Sequence, residues 1–515
     1  MPETWATSGL DLHLELRPGQ PGEPPRARVR ARLEAALREA ARTSQLAPGT
    51  RLPSSRVLAA DLGLARNTVA EAYAQLVAEG WLTARRGSGT AVADRPAVPG
   101  PATAWPATTG PAVTGPAVTG PAVTGPATTG PAPARPGTGW PGTAQPAPAP
   151  SRQPHYDLRP GSPDLSLFPR PAWLAAARRA MQAAPAAALG YADPRGRPEL
   201  RLALAGYLAR ARGVRADPDH IVICAGFTQG LALLSHVLRA RGVTTLAVEA
   251  CSQPPHRELA QASGLALDLL PVDGAGAAVS QLAGSAAGAV LLTPAHQFPA
   301  GAVLAPRRRT GVVGWARGTG GVIIEDDYDG EFRYDRQPVG AIQALAPEHV
   351  VYAGSASKSL APGLRLGWLV LPGHLAGDVA AARARADRQG SAFDQLTLAE
   401  FISSGQYDRQ VRRARLAYRR RRDRLVAELG QRVPQARVSG IAAGLHALLD
   451  LPPGGAENGV VARAARRGLA LEGLAGYCAP GHSRGPALVL GYGTPPAHAF
   501  TGALARLCAV LTDSG

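Results

Sequence analysis

A chain of 515 residues with 55 basic side chains holds a single lysine, Lys358, in the run YAGSASKSLAPGLRLGW; the other 54 are arginine. Arginine serves wherever a positive charge suffices, but only a primary amine condenses with an aldehyde. Ser355, Ser357 and Arg365 surround the lysine in sequence and offer compact donors for a phosphate. Upstream, VIIEDDYDGEF puts Asp326 at the end of an apolar run, where a carboxylate can pair with a pyridine nitrogen, and Tyr328 two residues on, where a hydroxyl can bond a phenolic oxygen. Singly, a lysine between serines is an ordinary loop residue and an acidic cluster an ordinary strand end. In this order, with no second lysine, they point to an imine-forming lysine and to pyridoxal 5'-phosphate (PLP), whose protonated ring nitrogen makes it an electron sink.

These residues need a scaffold, and the composition breaks into three parts. Residues 155–515 alternate helical patterns with short apolar runs at Ile221–Cys224, Thr245–Val248, Ala289–Thr293, Gly321–Glu325, Val350–Tyr352 and Leu366–Leu371. That alternation predicts an α/β fold with a largely parallel sheet. Residues 94–154 are nearly all Pro, Gly, Ala, Thr and Val, with GPAVT beginning at Gly110, Gly115 and Gly120 and GPATT at Gly125. Such a segment has too little bulky apolar surface to offset its ordering entropy and reads as a solvated linker. As a coil of about 60 residues it reaches roughly 40–45 Å, and about 185 Å if extended. Glycine at every fifth rather than every third place excludes collagen.

The formal charge of +17 favours a polyanion as partner. Four cysteines, Cys224, Cys251, Cys478 and Cys508, are far apart with no CxxC. Neither a disulfide framework nor a structural zinc site is expected, and a reducing cytoplasm fits. No apolar run approaches membrane-spanning length and the acidic start is unlike a signal peptide, so neither membrane nor secretion is expected. The arginine-rich run from Asp408 to Leu429 reads as a long helix with a solvated, ion-paired face, or else as a second nucleic-acid contact.

Residues 10–93 form the third part, and between Pro24 and Ala93 stand 11 arginines against 5 acids. A helix over about Arg26–Thr43 precedes a short helix at Arg56–Asp61, capped by Ser54 or Ser55, a turn at Gly63, and a helix at Arg66–Ala78 ended by Gly80. Two strands then flank Arg85-Arg86-Gly87-Ser88-Gly89 as a wing. Helix, tight turn, helix is the spacing of a DNA reader, with Arg66, Asn67 and Thr68 at the entering end and Arg56, Arg85 and Arg86 in reach of phosphates or a guanine edge. The bland alternative is a helical scaffold with solvated arginines. The run LPSSRVLAADLGLARNTVAEAYAQLVAEGWLTARRGSGTAV resembles the winged helix-turn-helix of GntR-type regulators, which implies Arg56, Arg66, Thr68 and Gly87 as DNA contacts. Ala65 stands where that family has serine, which removes a cap or phosphate bond of order 1 kcal/mol.

From about Leu158 onward the segments RPGSPDLSLFPRPAW, LGYADPRGRPELRLALAGYLARARGV, LTPAHQFPAGAV, IIEDDYDGEF and GSASKSLAPGLRLGW resemble fold-type I PLP-dependent aminotransferases. Joined to a GntR-type head, the whole resembles the MocR/GabR-type regulators. The resemblance implies Lys358 as the imine lysine, Asp326 as the pyridine partner and Tyr328 as the phenolic-oxygen partner. It further implies Ser355, Arg365, Gly226, Phe227 and Thr228 as phosphate ligands, and Tyr191 reaching a phosphate across a homodimer interface. Two heads on such a dimer occupy paired DNA half-sites. The chain departs from the pattern at three places: Gln253 replaces the ring-stacking tyrosine, Phe298 the asparagine of NPTG, and Ala487 the carboxylate-binding arginine, with Arg484 three residues away. These departures favour a regulator that senses PLP, or an amine or amino acid, over a working aminotransferase with a DNA-binding extension; a PLP fold kept only as a dimerisation scaffold is a third reading.

Overall fold

The computed structural model describes residues 25–42, 46, 49–62, 64–78, 81–85, 89–93, 154–334, 339–452, 455–482 and 484–512. The expected linker up to position 153, the turn glycines Gly63 and Gly80, and the wing residues Arg86 and Gly87 lie outside the described residues.

The head consists of α1 (Pro25–Arg42), α2 (Ser55–Leu62), α3 (Arg66–Ala78) and the antiparallel pair β1 (Leu82–Arg85) and β2 (Gly89–Val92). Leu33, Leu37 and Ala40 recur at helical spacing and bury one face of α1 against Leu58, Val69, Ala72, Leu76 and Leu82. The cap of α2 falls to Ser54, whose Oγ accepts from the Val57 N–H at 3.3 Å. Tyr73 is buried in this core with its hydroxyl donating to the Pro53 carbonyl at 2.9 Å, which ties α3 to the turn before α2.

In the body, seven strands form one sheet: β3 (Ile221–Cys224), β4 (Thr245–Glu249), β5 (Ala266–Leu270), β6 (Ala289–Leu292), β7 (Val322–Asp326), β8 (Val350–Ser355) and β9 (Gly367–Val370), in the order β3-β9-β8-β7-β6-β4-β5. Neighbours from β8 through β5 are parallel, while β9 runs antiparallel to both β8 and β3. Both faces are covered over most of the sheet, which is why six of the seven strands read as apolar runs in the sequence. The edge strand β5 (ALDLL), only partly buried and interrupted by Asp268, is not among those expected. Val222 and Leu369 face helix α5 (Phe227–Ala240) through Leu231, Leu234 and Val237. Ile223 and Trp368, one residue along each strand, face Leu204, Tyr207 and Leu208 of α4 (Pro198–Arg212) on the other side.

This topology opens one edge of the sheet for a ligand. The C-terminal ends of the parallel strands converge there, and because β9 is reversed its beginning joins them. Ser355, Gly367 and Cys224 are in register across β8, β9 and β3. A Cβ on Gly367 would stand 2.8 Å from the Gly226 Cα, so this crossing admits only glycine.

A smaller antiparallel sheet, β10 (Arg437–Ser439), β11 (Ala447–Asp450), β12 (Glu472–Gly473) and β13 (Ala487–Leu490), has the order β10-β11-β13-β12. Its core includes Tyr418, Leu425 and Leu429 from α6 (Gln406–Arg432). The arginine-rich helix is therefore not simply a solvated face. Its Asp408 is buried against Arg210, at 2.7 and 3.2 Å, and its Arg421 is buried against Asp164 with a further bond to the Pro495 carbonyl at 2.7 Å.

The cysteine expectation is corrected. Cys251 and Cys478 form a disulfide across 227 residues, and only Cys224 and Cys508, both buried, are free. Sequence spacing hid the pair because the partners come from different sheets: Cys251 follows β4, and Cys478 lies between β12 and β13.

The Asp164–Arg421 pair carries a stability prediction. Asp164→Ala leaves a buried guanidinium without its counter-charge, and the urea transition of the body followed by circular dichroism shifts by about 3–5 kcal/mol; a loss under about 1 kcal/mol means carbonyls alone satisfy Arg421.

Candidate functional site

In the head, Arg66 and Asn67 are exposed at the first turn of α3, Thr68 is half-buried beside them, and Arg56 is exposed on α2. The Ala65 carbonyl receives the Thr68 N–H at 3.0 Å, but its methyl offers no side-chain cap. Arg85 ends β1. Arg56, Arg66 and Asn67 give the head an exposed basic and polar entry to α3, the arrangement that meets phosphates and base edges.

In the body, the acidic run after β7 divides into separate tasks. Glu325 is fully buried and accepts the N–H groups of Ile342 and Gln343 at 2.9 and 3.0 Å; burial pushes its carboxyl up to about 7. Asp327 points away from the sheet edge and is held by Arg212 at 2.6 and 3.0 Å and by the Tyr352 hydroxyl at 2.8 Å. Asp326, between them, faces a cavity of about 260 Å3. Burial, and next the charge of Asp327, hold the Asp326 carboxyl well above the ordinary carboxylate range, with Lys358 opposing.

That cavity collects nine of the ten expected body residues: Gly226, Phe227, Thr228, Asp326, Tyr328, Ser355, Ser357, Lys358 and Arg365. Lys358 follows β8 by three residues and donates from Nζ to the Gly161 carbonyl. Burial lowers its pKa below the ordinary 10.5, with the charges of Asp329 and Asp326 acting the other way. Gly226 precedes the first turn of α5 with φ +88°, and no side chain caps that turn. Where its Cβ would be, the Arg365 guanidinium stands 3.4 Å away. Arg365 itself has φ +50°, a left-handed conformation that non-glycine residues rarely adopt. Uncapped N–H groups at the start of a helix beside an arginine and two serines form an anion cup. Tyr191 is the exception. It is exposed, lies outside the cavity of its own chain, and stacks under the Arg388 guanidinium at 4.7 Å.

The departures also have places. Gln253 lines the cavity at the start of the helix Pro254–Ala262. Phe298 is buried in the wall, with its ring 5.1 Å from Tyr477, 4.9 Å from His446 and 6.1 Å from Tyr328. Ala487 is buried at the start of β13, and Arg484 is exposed and outside the cavity lining.

Several wall residues had no reading in the sequence. His296 bonds Asp329 at 2.9 Å, and the Tyr328 hydroxyl lies 3.1 Å from the same Nδ1 while donating to the His296 carbonyl at 2.9 Å. With His446 beside them, these groups make a buried cluster in which His296 Nδ1 pairs with Asp329, while the Nε2 atoms of His296 and His446 have no hydrogen-bond partner among the described residues. His256, brought down to about 4 by burial and then by the Lys358 charge, stands neutral at the cavity. Glu249, pushed up to about 7 by burial, accepts from the Thr293 hydroxyl at 2.6 Å and from Gln297 at 3.1 Å. HQFPAG and DDYD held the local signal for His296 and Asp329; His446 has none.

Residues 29–92 match the family model of bacterial regulatory proteins, gntR family, and residues 160–464 match aminotransferase class I and II. Over 486 residues the chain is 30% identical to the HTH-type pyridoxine biosynthesis transcriptional regulator PdxR of Corynebacterium glutamicum, covering 94% of this chain and 95% of that protein. It is 32% identical over 392 residues to the probable rhizopine catabolism regulatory protein MocR of Rhizobium meliloti, covering 76% and 75%. The chain belongs to the MocR-type transcriptional regulators. Among solved structures, an archaeal alanine:glyoxylate aminotransferase matches with a TM-score of 0.64 at 25% identity, covering 70% of this chain and 91% of that one. The body of this MocR-type regulator thus has the fold-type I aminotransferase architecture, and its gntR head makes it a DNA-binding protein. No described helix is long and apolar enough to cross a membrane.

The single lysine makes its electrostatics directly measurable. After reductive methylation with isotope-labelled formaldehyde, the one lysine resonance titrates at lower pH in the folded protein than in the urea-unfolded chain, because burial releases its proton at lower pH; an equal or higher midpoint in the folded protein contradicts the buried setting.

Proposed function

We propose that the regulator binds operator DNA through its head and PLP through its body, as a cytoplasmic homodimer whose two heads occupy paired half-sites. The observation that carries this is the convergence on one cavity of a lone lysine, a carboxylate at a strand end and an anion cup. The residues fit the cofactor: a side chain at Gly226 would fill the cup beside Arg365, and the cup leaves first-turn N–H groups of α5 open. Lys358 holds the aldehyde carbon through Nζ, and its lowered pKa leaves more of the amine neutral and nucleophilic at neutral pH. Ser355, Ser357, Arg365 and the backbone of Gly226, Phe227 and Thr228 hold the phosphate, while Asp326 takes the ring nitrogen. A cationic partner draws the Asp326 carboxyl back toward the charged form, so proton and cofactor compete for it. Tyr328, oriented by His296, reaches the phenolic oxygen. Bound there, PLP supplies a carbonyl for the amine and an electron sink in its ring.

The effector we favour is PLP itself. Gln253 cannot stack on an aromatic ring as a tyrosine does, and at the place where the aminotransferase pattern has its carboxylate-binding arginine this chain has Ala487, which like Arg484 lies outside the cavity lining. The arginines that do line it are Arg365, in the anion cup, and Arg257, which is engaged with the Ser252 and Tyr477 carbonyls. A site that keeps the cofactor anchors and lacks the carboxylate clamp suits retention of PLP more than turnover of an amino acid. The PdxR relative is named for pyridoxine biosynthesis, which supports the same reading.

Lys358→Ala purifies colourless and its DNA affinity no longer responds to PLP, whereas the parent's affinity for its own promoter shifts roughly fivefold or more on adding PLP. Normal PLP-responsive binding by the colourless variant overturns the covalent role, and a response only to an amino-acid panel moves the effector from PLP to an amine. In the head, Arg66→Ala weakens operator binding by about 1–3 kcal/mol if it reads a base, or lowers the salt slope by about one if it meets a phosphate; unchanged affinity and slope remove Arg66 from the interface.

A further inference from the structure

We propose that Cys251 and Cys478 are a thiol–disulfide exchange site for low-molecular-weight disulfides and thiols, and that its state sets how readily the cavity takes up and releases its ligand. The effect on ligand exchange rests on the PLP reading above; the exchange site itself does not.

The two cysteines link the segment after β4 to the segment between β12 and β13, next to residues that line the cavity. Cys251 follows Glu249, the last residue of β4, and its neighbours Ser252 and Gln253 line the cavity. Cys478 lies in the segment between β12 and β13 of the small sheet. The same seam is closed by weaker ties. Ser252 N–H donates to the Tyr477 carbonyl at 3.1 Å, Ala479 N–H to the Ala250 carbonyl at 2.8 Å, and Arg257 Nη1 to the Ser252 and Tyr477 carbonyls at 2.8 and 2.9 Å. Each such bond is worth of order 1 kcal/mol net, so with the sulfurs reduced the seam stays formed at rest and can open in fluctuation. A covalent link removes that opening.

Opening at this seam reaches the ligand space through packed side chains. Tyr477, next to Cys478, stacks edge-on against Phe298, which contacts the His446 and Tyr328 rings. On the other strand, Gln297 donates to the Cys251 carbonyl at 2.8 Å and to Glu249 at 3.1 Å. The wall that replaces the aminotransferase asparagine with Phe298 is thereby fastened to both halves of the seam.

Exposure assigns the order of chemistry. Cys251 is buried and Cys478 half-buried, so an external reagent meets the Cys478 sulfur first. Starting from the dithiol, the Cys478 thiolate attacks a disulfide RSSR, giving a mixed disulfide and RS−. The Cys251 thiolate then attacks the Cys478 sulfur, closing the protein bond and expelling the second RS−. Overall the dithiol and RSSR become the protein disulfide and two RSH, and the reverse restores the dithiol. Cys224 and Cys508 are buried in the two cores, and burial raises both thiols, Cys224 to about 12, which keeps them out of exchange. In a compartment with a thiol buffer, a disulfide placed at a ligand seam serves as a sensor.

The test uses the full-length protein held in reduced or oxidised glutathione. Alkylation under denaturing conditions and intact mass count four thiols in the reduced state and two in the oxidised one. Oxidation slows PLP uptake roughly fivefold or more, and Cys251→Ser and Cys478→Ser each hold the reduced rate in both buffers. Independently of PLP, amide hydrogen exchange across residues 476–482 slows about tenfold on oxidation. Four alkylated thiols after oxidised glutathione overturn the proposal, as does equal exchange at 476–482 in both states. If the protein takes up no PLP, the cofactor reading fails while the thiol count and amide exchange still decide this one.

Discussion

The buried pairing of Arg212 with Asp327 is the constraint on which the site depends. Four acidic side chains, Glu325, Asp326, Asp327 and Asp329, are buried within the five positions 325–329 at one strand end, and without separate compensation their mutual repulsion would forbid the arrangement. Arg212 and Tyr352 take both oxygens of Asp327, backbone N–H groups take Glu325, and His296 takes Asp329. Only Asp326 keeps no such partner on the cavity side. The ion pair thus fixes the turn that aims Asp326 and Tyr328 inward, and it leaves Asp326 as the carboxyl whose charge a ligand can settle.

A second constraint is steric and lies across the sheet. The single antiparallel strand brings Arg365 to the same edge as Lys358, but at the cost of backbones crossing at van der Waals contact, at Gly367 over Gly226. Both glycines, together with the left-handed Arg365, are consequences of one topological choice. A fully parallel sheet would carry the start of β9 to the opposite edge, and the cup would lose its guanidinium.

Much of this was legible in the residues. Six of the seven strands of the main sheet were readable to within a few residues because burial on both faces leaves apolar runs, the exception being the partly exposed edge strand β5, and α3 was readable because Arg66 to Ala78 has helical composition throughout. The small sheet was not, since strands of two to four residues such as Glu472–Gly473 have no period to detect. The cavity wall was partly hidden for a different reason. His446 meets His296 and Phe298 from about 150 residues away, and Cys251 meets Cys478 across 227; such pairings exist only once two sheets are juxtaposed. A motif reading finds residues that share a strand end, and misses those that a second lobe brings to it.

The arginine excess takes on a different meaning once the interior is seen. Arg210, Arg212, Arg383 and Arg421 are buried, each with a carboxylate partner, and Arg421 adds backbone carbonyls that a three-donor ammonium could not span from one position. Composition alone would place these charges on a solvated surface or against DNA. They are instead the planar, multidentate fasteners of a two-lobed body, a task for which lysine is the poorer residue. At position 358 the requirement is inverted. There the group must shed its proton on burial and attack carbon, which a guanidinium cannot do. A chain that uses arginine for every electrostatic purpose therefore isolates, by exclusion, the one place where the purpose is covalent.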